Sequence, residues 1–92
     1  MRLLSSFATE DFWKQYHNLP KEIQQMADKS YLFFNQNPGH PGLQFKRVGK
    51  KQRVYSARVT DSYRALCLVD GSNAYWFWIG NHDMYEKLIT GM

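Results

Sequence analysis

The run VYSARVTDSYRALCLVDGSNAYWFWIGNHDMYEKL, residues 54–88, decides the fold. Three stretches within it, 54–60, 63–69 and 74–79, are rich in β-branched and aromatic residues and are separated by Asp61-Ser62 and by Asp70-Gly71-Ser72-Asn73. Connections that short suit hairpins and cannot hold a parallel crossover, so an antiparallel meander is expected. After Gly80 the pattern turns helical, with Asn81 as the N-cap of a short final helix. The strand Tyr75-Trp76-Phe77-Trp78-Ile79 is apolar on both sides, which predicts a central strand covered twice. Upstream helices would supply one cover, and a bound partner segment is expected on the other.

Upstream of the meander, residues 43–48, LQFKRV, read as a strand. A basic turn follows, so that Lys46, Arg47, Lys50, Lys51 and Arg53 crowd together as a phosphate-contacting patch or as a solvated hairpin tip. The preceding loop, 35–42, NQNPGHPG, is stiffened by proline and carries His40 on the surface, where loops often hold function. Before it, Pro20 opens a helix whose apolar stripe is Ile23, Met26, Ala27, Ser30, Tyr31 and Phe34. That helix stops at Asn37-Pro38. Thr9 caps a shorter helix with Phe12, Trp13 and Tyr16 on one side, and residues 2–7 offer a first short strand. The two helices form an αα-hairpin whose aromatic stripe is read as core.

Ninety-two residues are enough for one domain, residues 1–92. A chain of this size buries roughly 60–70% of its unfolded surface, so a two-layer core is expected and a deep substrate cavity is not. A net charge of +4 makes a polyanion a plausible partner. Cys67 is the only cysteine and stands in an apolar strand, an inert core thiol that rules out a disulfide framework. His17, His40 and His82 share no ligand spacing, so no metal site and no cofactor are expected. No apolar run approaches the ~20 residues of a membrane span, and the N-terminal apolar run is too short for a signal peptide. A cytoplasmic protein without a membrane partner follows as the expectation.

Candidate chemistry lies at the meander's polar positions. Arg64 interrupts an apolar strand, a setting in which an arginine is normally used or paired, and Asp61, Asp70 and Glu86 are its possible partners. Arg58 shares a face with Arg64 only if the two residues pair directly across the hairpin. His82 starts the last helix, where backbone N–H groups and the helix dipole favour an anion. Tyr85 follows one turn later, with its ring suited to packing and its hydroxyl to chemistry.

With these residues in place, the chain resembles the RelE/ParE superfamily of bacterial type II toxins. The resemblance is carried most specifically by Ser62-Tyr63-Arg64-Ala65-Leu66 and by Ile79-Gly80-Asn81-His82-Asp83-Met84-Tyr85. It implies an α+β fold: an N-terminal helical hairpin on a small, mostly antiparallel sheet with a short C-terminal helix, as in microbial ribonucleases. The RelE branch cuts mRNA in the ribosomal A site, and the ParE branch poisons DNA gyrase. By resemblance to the former, the expected function is ribosome-dependent mRNA cleavage by metal-free transesterification. Its partners would be a cognate antitoxin, the ribosome and mRNA, and the toxin alone would be monomeric. The resemblance assigns Arg64 to the scissile phosphate, His82 to a position held by Arg or His in active relatives and Tyr85 to the functional C-terminal aromatic; on chemical grounds His82 is the best acid for the departing oxygen. Arg58 or Lys46 would add positive charge. A gyrase inhibitor and a non-toxic member of the fold remain the alternatives. Some relatives use a glutamate as base near the start of the strand after the helices. Here Gly42-Leu43-Gln44 stands in that place, no acid occurs between Asp28 and Asp61, and His40 is the nearest titratable substitute.

Overall fold

A computed structural model describes Ser5 to Met92, so residues 2–4 of the expected first strand lie outside the described residues. The chain runs β1 (Ser5–Ala8), α1 (Glu10–His17), α2 (Lys21–Gln36), β2 (Lys46–Arg47), β3 (Val54–Thr60), β4 (Tyr63–Asp70), β5 (Asn73–Asn81) and α3 (His82–Thr90). One sheet is ordered β1-β5-β4-β3-β2. β3, β4 and β5 form the expected meander with β2 antiparallel to β3, while β1 joins β5 in parallel. The expected α+β fold is the one found. β5 lies inside the sheet as expected, between β1 and β4, and β4 is the middle strand of the five.

Alternation sorts the strand residues onto two faces. Ala57, Val59, Ala65, Cys67, Val69, Ala74, Trp76 and Ile79 join Ala27, Phe34 and Leu43 in the larger core, under α1 and α2. Phe34 wedges edge-on against both Phe45 and Trp76 at centroid distances of 5.1 and 5.0 Å. Cys67 is fully buried there, and desolvation pushes its thiol up to about 12, as an inert core thiol requires. The opposite face carries a smaller cluster of Val54, Leu66 and Tyr85, with Phe77, Trp78, Leu88, Ile89 and Met92 packed around it. Helix α3 therefore supplies the second cover that the sequence reading assigned to a partner.

A bulge explains how both aromatic residues 77 and 78 reach that second face. Leu66 pairs with Trp78 but Cys67 pairs with Trp76, leaving Phe77 as the extra residue. Gly80 is required by the same packing: a Cβ on it would lie 2.6 Å from Trp78 Cζ2.

Local signals set the helix ends. Thr9 Oγ1 accepts from Phe12 N, and Asn81 Oδ1 accepts from Met84 N, so both expected N-caps are in place. The expected strand at 43–48 shrinks to Lys46–Arg47. Pro41–Leu43 instead forms a 3₁₀ turn, and Gln44 takes a left-handed φ of 46°, which buries Leu43 and stacks Phe45 on Tyr55.

The apolar stripe of α2 is only partly core. Ala27 and Phe34 are buried, whereas Met26 and Tyr31 are about two-fifths exposed. For Tyr31 the reason is a gap. Helices α1 and α2 are bridged by Tyr16 Oη donating to Asp28 Oδ1 at 2.7 Å, and between them lies an apolar groove with a cavity of about 310 Å³. Phe12, Trp13, Tyr16, Tyr31 and Leu32 line its sides, and Ala57, Val59, Trp76 and Ile79 its floor. A cavity absent from the sequence expectation is thus built into the helical side.

Candidate phosphate-binding site

The β3–β4 register brings the two arginines together. Arg58 pairs directly with Arg64, and Arg64 pairs with Gly80 on its other side. Both arginines occupy the α3 face, in alternation with Val54 and Ser56 on β3 and with Leu66 on β4. Like charges set directly opposite destabilise a strand pair, so their juxtaposition calls for compensation. The β3–β4 turn provides it. Arg58 Nη2 donates to Asp61 Oδ1 at 2.6 Å, and Arg64 Nη1 donates to the backbone carbonyls of Thr60 and Tyr63. The Arg58 hydrogen bond and charge, in that order, hold the Asp61 carboxyl below its ordinary value. Asp61 is thus spent on Arg58, and Arg64 uses carbonyls rather than any of the three acids suggested by the sequence.

Helix α3 begins beside this pair. Tyr63 pairs with Asn81, and His82 N donates to Ser62 O at 2.7 Å, fixing the helix start to the same turn. With Met84 N committed to Asn81, two of the first-turn donors that the sequence reading offered to an anion are already satisfied. His82 keeps a side chain 39% exposed, with Nε2 3.3 Å from Glu86 Oε1 one turn along. The sequence offered Glu86 to Arg64; the structure gives it to His82 instead, the partner that i, i+4 spacing on one helix favours. Tyr85 turns inward: it is buried, and its hydroxyl donates to Ser56 Oγ at 3.2 Å. Ser56, itself buried, gave no sequence signal, because a strand serine is ordinary until its partner is known.

The remaining candidates divide. Lys46 pairs with Ser56 across β2 and β3, on the arginine face and one row away from Arg58. Arg47 braces its own turn, Nε to Gly49 O at 2.9 Å. Lys50, Lys51 and Arg53 lie at the other end of β3, five residues or about 16 Å of strand from Arg58 to Arg53. His40 lies with the helical side: its ring stacks on Phe33 at 4.5 Å and its Nδ1 accepts from Gly42 N. Register therefore puts Arg58, Arg64 and Lys46 on one face of the sheet, with His82 starting the helix that follows Gly80, and His40 and the basic turn lie apart.

Chemically, this end of the sheet offers two fixed guanidinium groups, a partly exposed imidazole at the start of α3 and a lysine on the neighbouring strand. Such a set can hold a phosphodiester and pass a proton.

Comparison with known proteins agrees with this architecture. A family model described as a ParE-like toxin domain matches residues 21–87. The RelB–RelE antitoxin–toxin complex of Methanococcus jannaschii contains a chain superposing with a TM-score of 0.73 at 13% identity, over 89% of this chain and 96% of that one. The toxin–antitoxin complex RelBE2 of Mycobacterium tuberculosis gives 0.66 at 19% identity, over 88% and 100%. YafQ of Escherichia coli gives 0.66 at 13%, over 89% and 97%. At these identities the likeness is one of fold. No curated protein matches the sequence.

Proposed function

Because the chain belongs to the ParE-like toxin domain family, with its helical hairpin and sheet folded as in the RelE structures, we propose that it is an mRNA-cutting toxin acting on the ribosome. The observation that carries this reading is the direct pairing of Arg58 with Arg64 on the face where α3 presents His82. Two cations kept at adjacent strand positions, despite their mutual repulsion, form a ready counter-charge for a phosphate passing through a more anionic transition state. In the reaction, the ribose 2′-oxygen bonds to phosphorus while the bond from phosphorus to the 5′-oxygen breaks, leaving a cyclic phosphate and a 5′-hydroxyl. Imidazolium His82 gives its proton to the leaving oxygen, and the Glu86 carboxylate steadies the ring. The proton of the 2′-hydroxyl goes to a base supplied by the ribosome or the RNA. Two acids beside the cluster are engaged, Asp61 with Arg58 and Glu86 with His82.

An antitoxin would neutralise the protein by filling the groove between α1 and α2. Its walls are apolar and its rim exposes Trp13, Tyr31 and Leu32, a surface that suits the apolar stripe of an amphipathic helix. A second reading, gyrase poisoning without RNA cleavage, draws on one observation: among the described residues, the two carboxylates that contact the candidate residues, Asp61 and Glu86, are both held in ion pairs.

The test is addition of purified protein to a cell-free translation reaction, with mRNA ends mapped by primer extension. Cuts within translated codons are expected, to be lost without ribosomes and reduced roughly 10²- to 10³-fold in Arg64→Ala, with His82→Gln also slowed. Intact mRNA, with inhibited supercoiling by gyrase, would replace this reading with the second.

A further inference from the structure

The cluster around Arg64 leaves two features without a role, the basic turn and an exposed pair of stacked rings. Tyr75 of that pair and Lys51 of the basic turn meet in a trough, with Phe7 stacked on Tyr75 beside it. Beyond the C-terminal end of α3, an open cavity of about 590 Å³ is lined by Lys51, Gln52, Leu68, Tyr75, Phe77 and Met92 among others. Register places Tyr75 opposite Leu68 and beside Phe7, on the arginine face of the sheet. The Phe7 ring lies on Tyr75 at 5.3 Å and 19°, and Phe7 is 51% exposed on an edge strand. Two large rings kept stacked at a surface contribute little to the core, and the exposed Phe7 extends the aromatic surface that Tyr75 and Phe77 begin in the trough.

We propose that this trough is a platform for unpaired RNA, in which bases stack on Phe7, Tyr75 and Phe77 while Lys51, flanked by Lys50 and Arg53, meets the phosphates. The choice of RNA follows from charge and shape together. Among the described residues Lys51 is the one charged side chain in the lining, and neither ion pair involves it or its basic neighbours. Stacked aromatics beside uncommitted cations are how single strands are held without sequence preference. An apolar protein segment would gain nothing from Lys51. The inference rests on reading the arginine cluster as an RNA site. Arg64 and Leu68 lie on the same face of β4, about 13 Å apart, with α3 packed over Leu66 between them, so a strand held at the arginines reaches the trough around α3 rather than along the sheet.

The experiment is fluorescence anisotropy of the purified full chain with a labelled 2′-O-methyl RNA that cannot be cut, over a salt series. Wild type is run beside Phe7→Leu, Phe7→Tyr and Lys51→Gln, and its mRNA cleavage is followed in parallel. Phe7→Leu keeps an apolar side chain but loses the ring, so affinity is expected to fall roughly 5- to 150-fold, the cost of one stacked base. Phe7→Tyr keeps the ring and the affinity. Lys51→Gln reduces the slope of log affinity against log salt by about 0.7. Unchanged affinity in Phe7→Leu, from a wild type that binds and cuts RNA, overturns the platform alone. A wild type that neither binds nor cuts RNA overturns the platform together with the nuclease reading. Capture of a protein segment that survives Phe7→Leu and disregards Lys51→Gln would also overturn it.

Discussion

The two faces of the sheet are built from the same strands and have opposite economies. Under α1 and α2, strand residues meet Phe34 and Leu43 in a core with few polar contacts, and the helices are held apart over an apolar groove. Under α3 the apolar cluster is small, and cations occupy positions where the other face has Ala57 and Ala65 as their neighbours in sequence. Stability is concentrated on the first face and candidate chemistry on the second. What separates them is the alternation of a strand, which lets one residue serve the core while the next serves the surface. If that division holds, substitutions on the two faces should fail in different ways.

The largest effect is expected on the hairpin face. Phe34→Ala removes a ring that is 1% exposed and wedged against Phe45 and Trp76, and should cost about 3–5 kcal/mol in chemical unfolding. For a chain this small that is a large part of a total stability of roughly 5–15 kcal/mol. Arg64→Ala, by contrast, should lower cleavage far more than it lowers the melting temperature, since it gives up only hydrogen bonds to turn carbonyls. Equal stability losses in the two variants would erase the distinction between the faces.

Tyr85 sharpens the comparison because it sits on the chemical face but is packed as core. Its hydroxyl donates to buried Ser56 Oγ, so Tyr85→Phe leaves Ser56 without that donor and should cost about 1–3 kcal/mol of stability. Cleavage by the folded variant should change by only a few-fold. A loss comparable to that of Arg64→Ala would give the hydroxyl a direct part in the reaction and extend the site beneath α3.

Much of this was legible because period-two alternation, turn residues and caps all point to the same meander. Residues 54–60 coincide with β3, and Thr9 and Asn81 cap the helices they were expected to cap. Other features depend on contacts between segments distant in sequence. Arg58 and Arg64 share a face because a bulge after Arg58 resets the hairpin register, and no local pattern specifies a bulge. The second cover of β5 was sought in a partner because α3, judged by length, is only two turns. Its apolar residues Tyr85, Leu88 and Ile89 nevertheless fall together over Leu66. The groove was invisible for the converse reason: the α2 stripe has ordinary core periodicity, and only the spacing of α1 from α2 leaves Tyr31 at a rim. His40 seemed close to the site in sequence, yet its stack on Phe33 draws it to the other side of the sheet.

The smallest expected effect tests the ion pair that keeps Arg58 in place. Asp61 is held below its usual value of 3.8 by the hydrogen bond and charge of Arg58, so the folded state favours the ionised carboxylate. The contribution is therefore present above that value and is lost as pH falls through the lower, folded one. At neutral pH, Asp61→Asn should melt slightly below wild type, because Arg58 then faces Arg64 without its counter-ion. The two melting curves should converge in acid. They should also converge in 1 M salt, where screening acts over about 3 Å and an exposed pair has little left to contribute. A deficit that persists unchanged in acid and in salt would assign Asp61 to the backbone of the turn, and the paired arginines would then need another source of compensation.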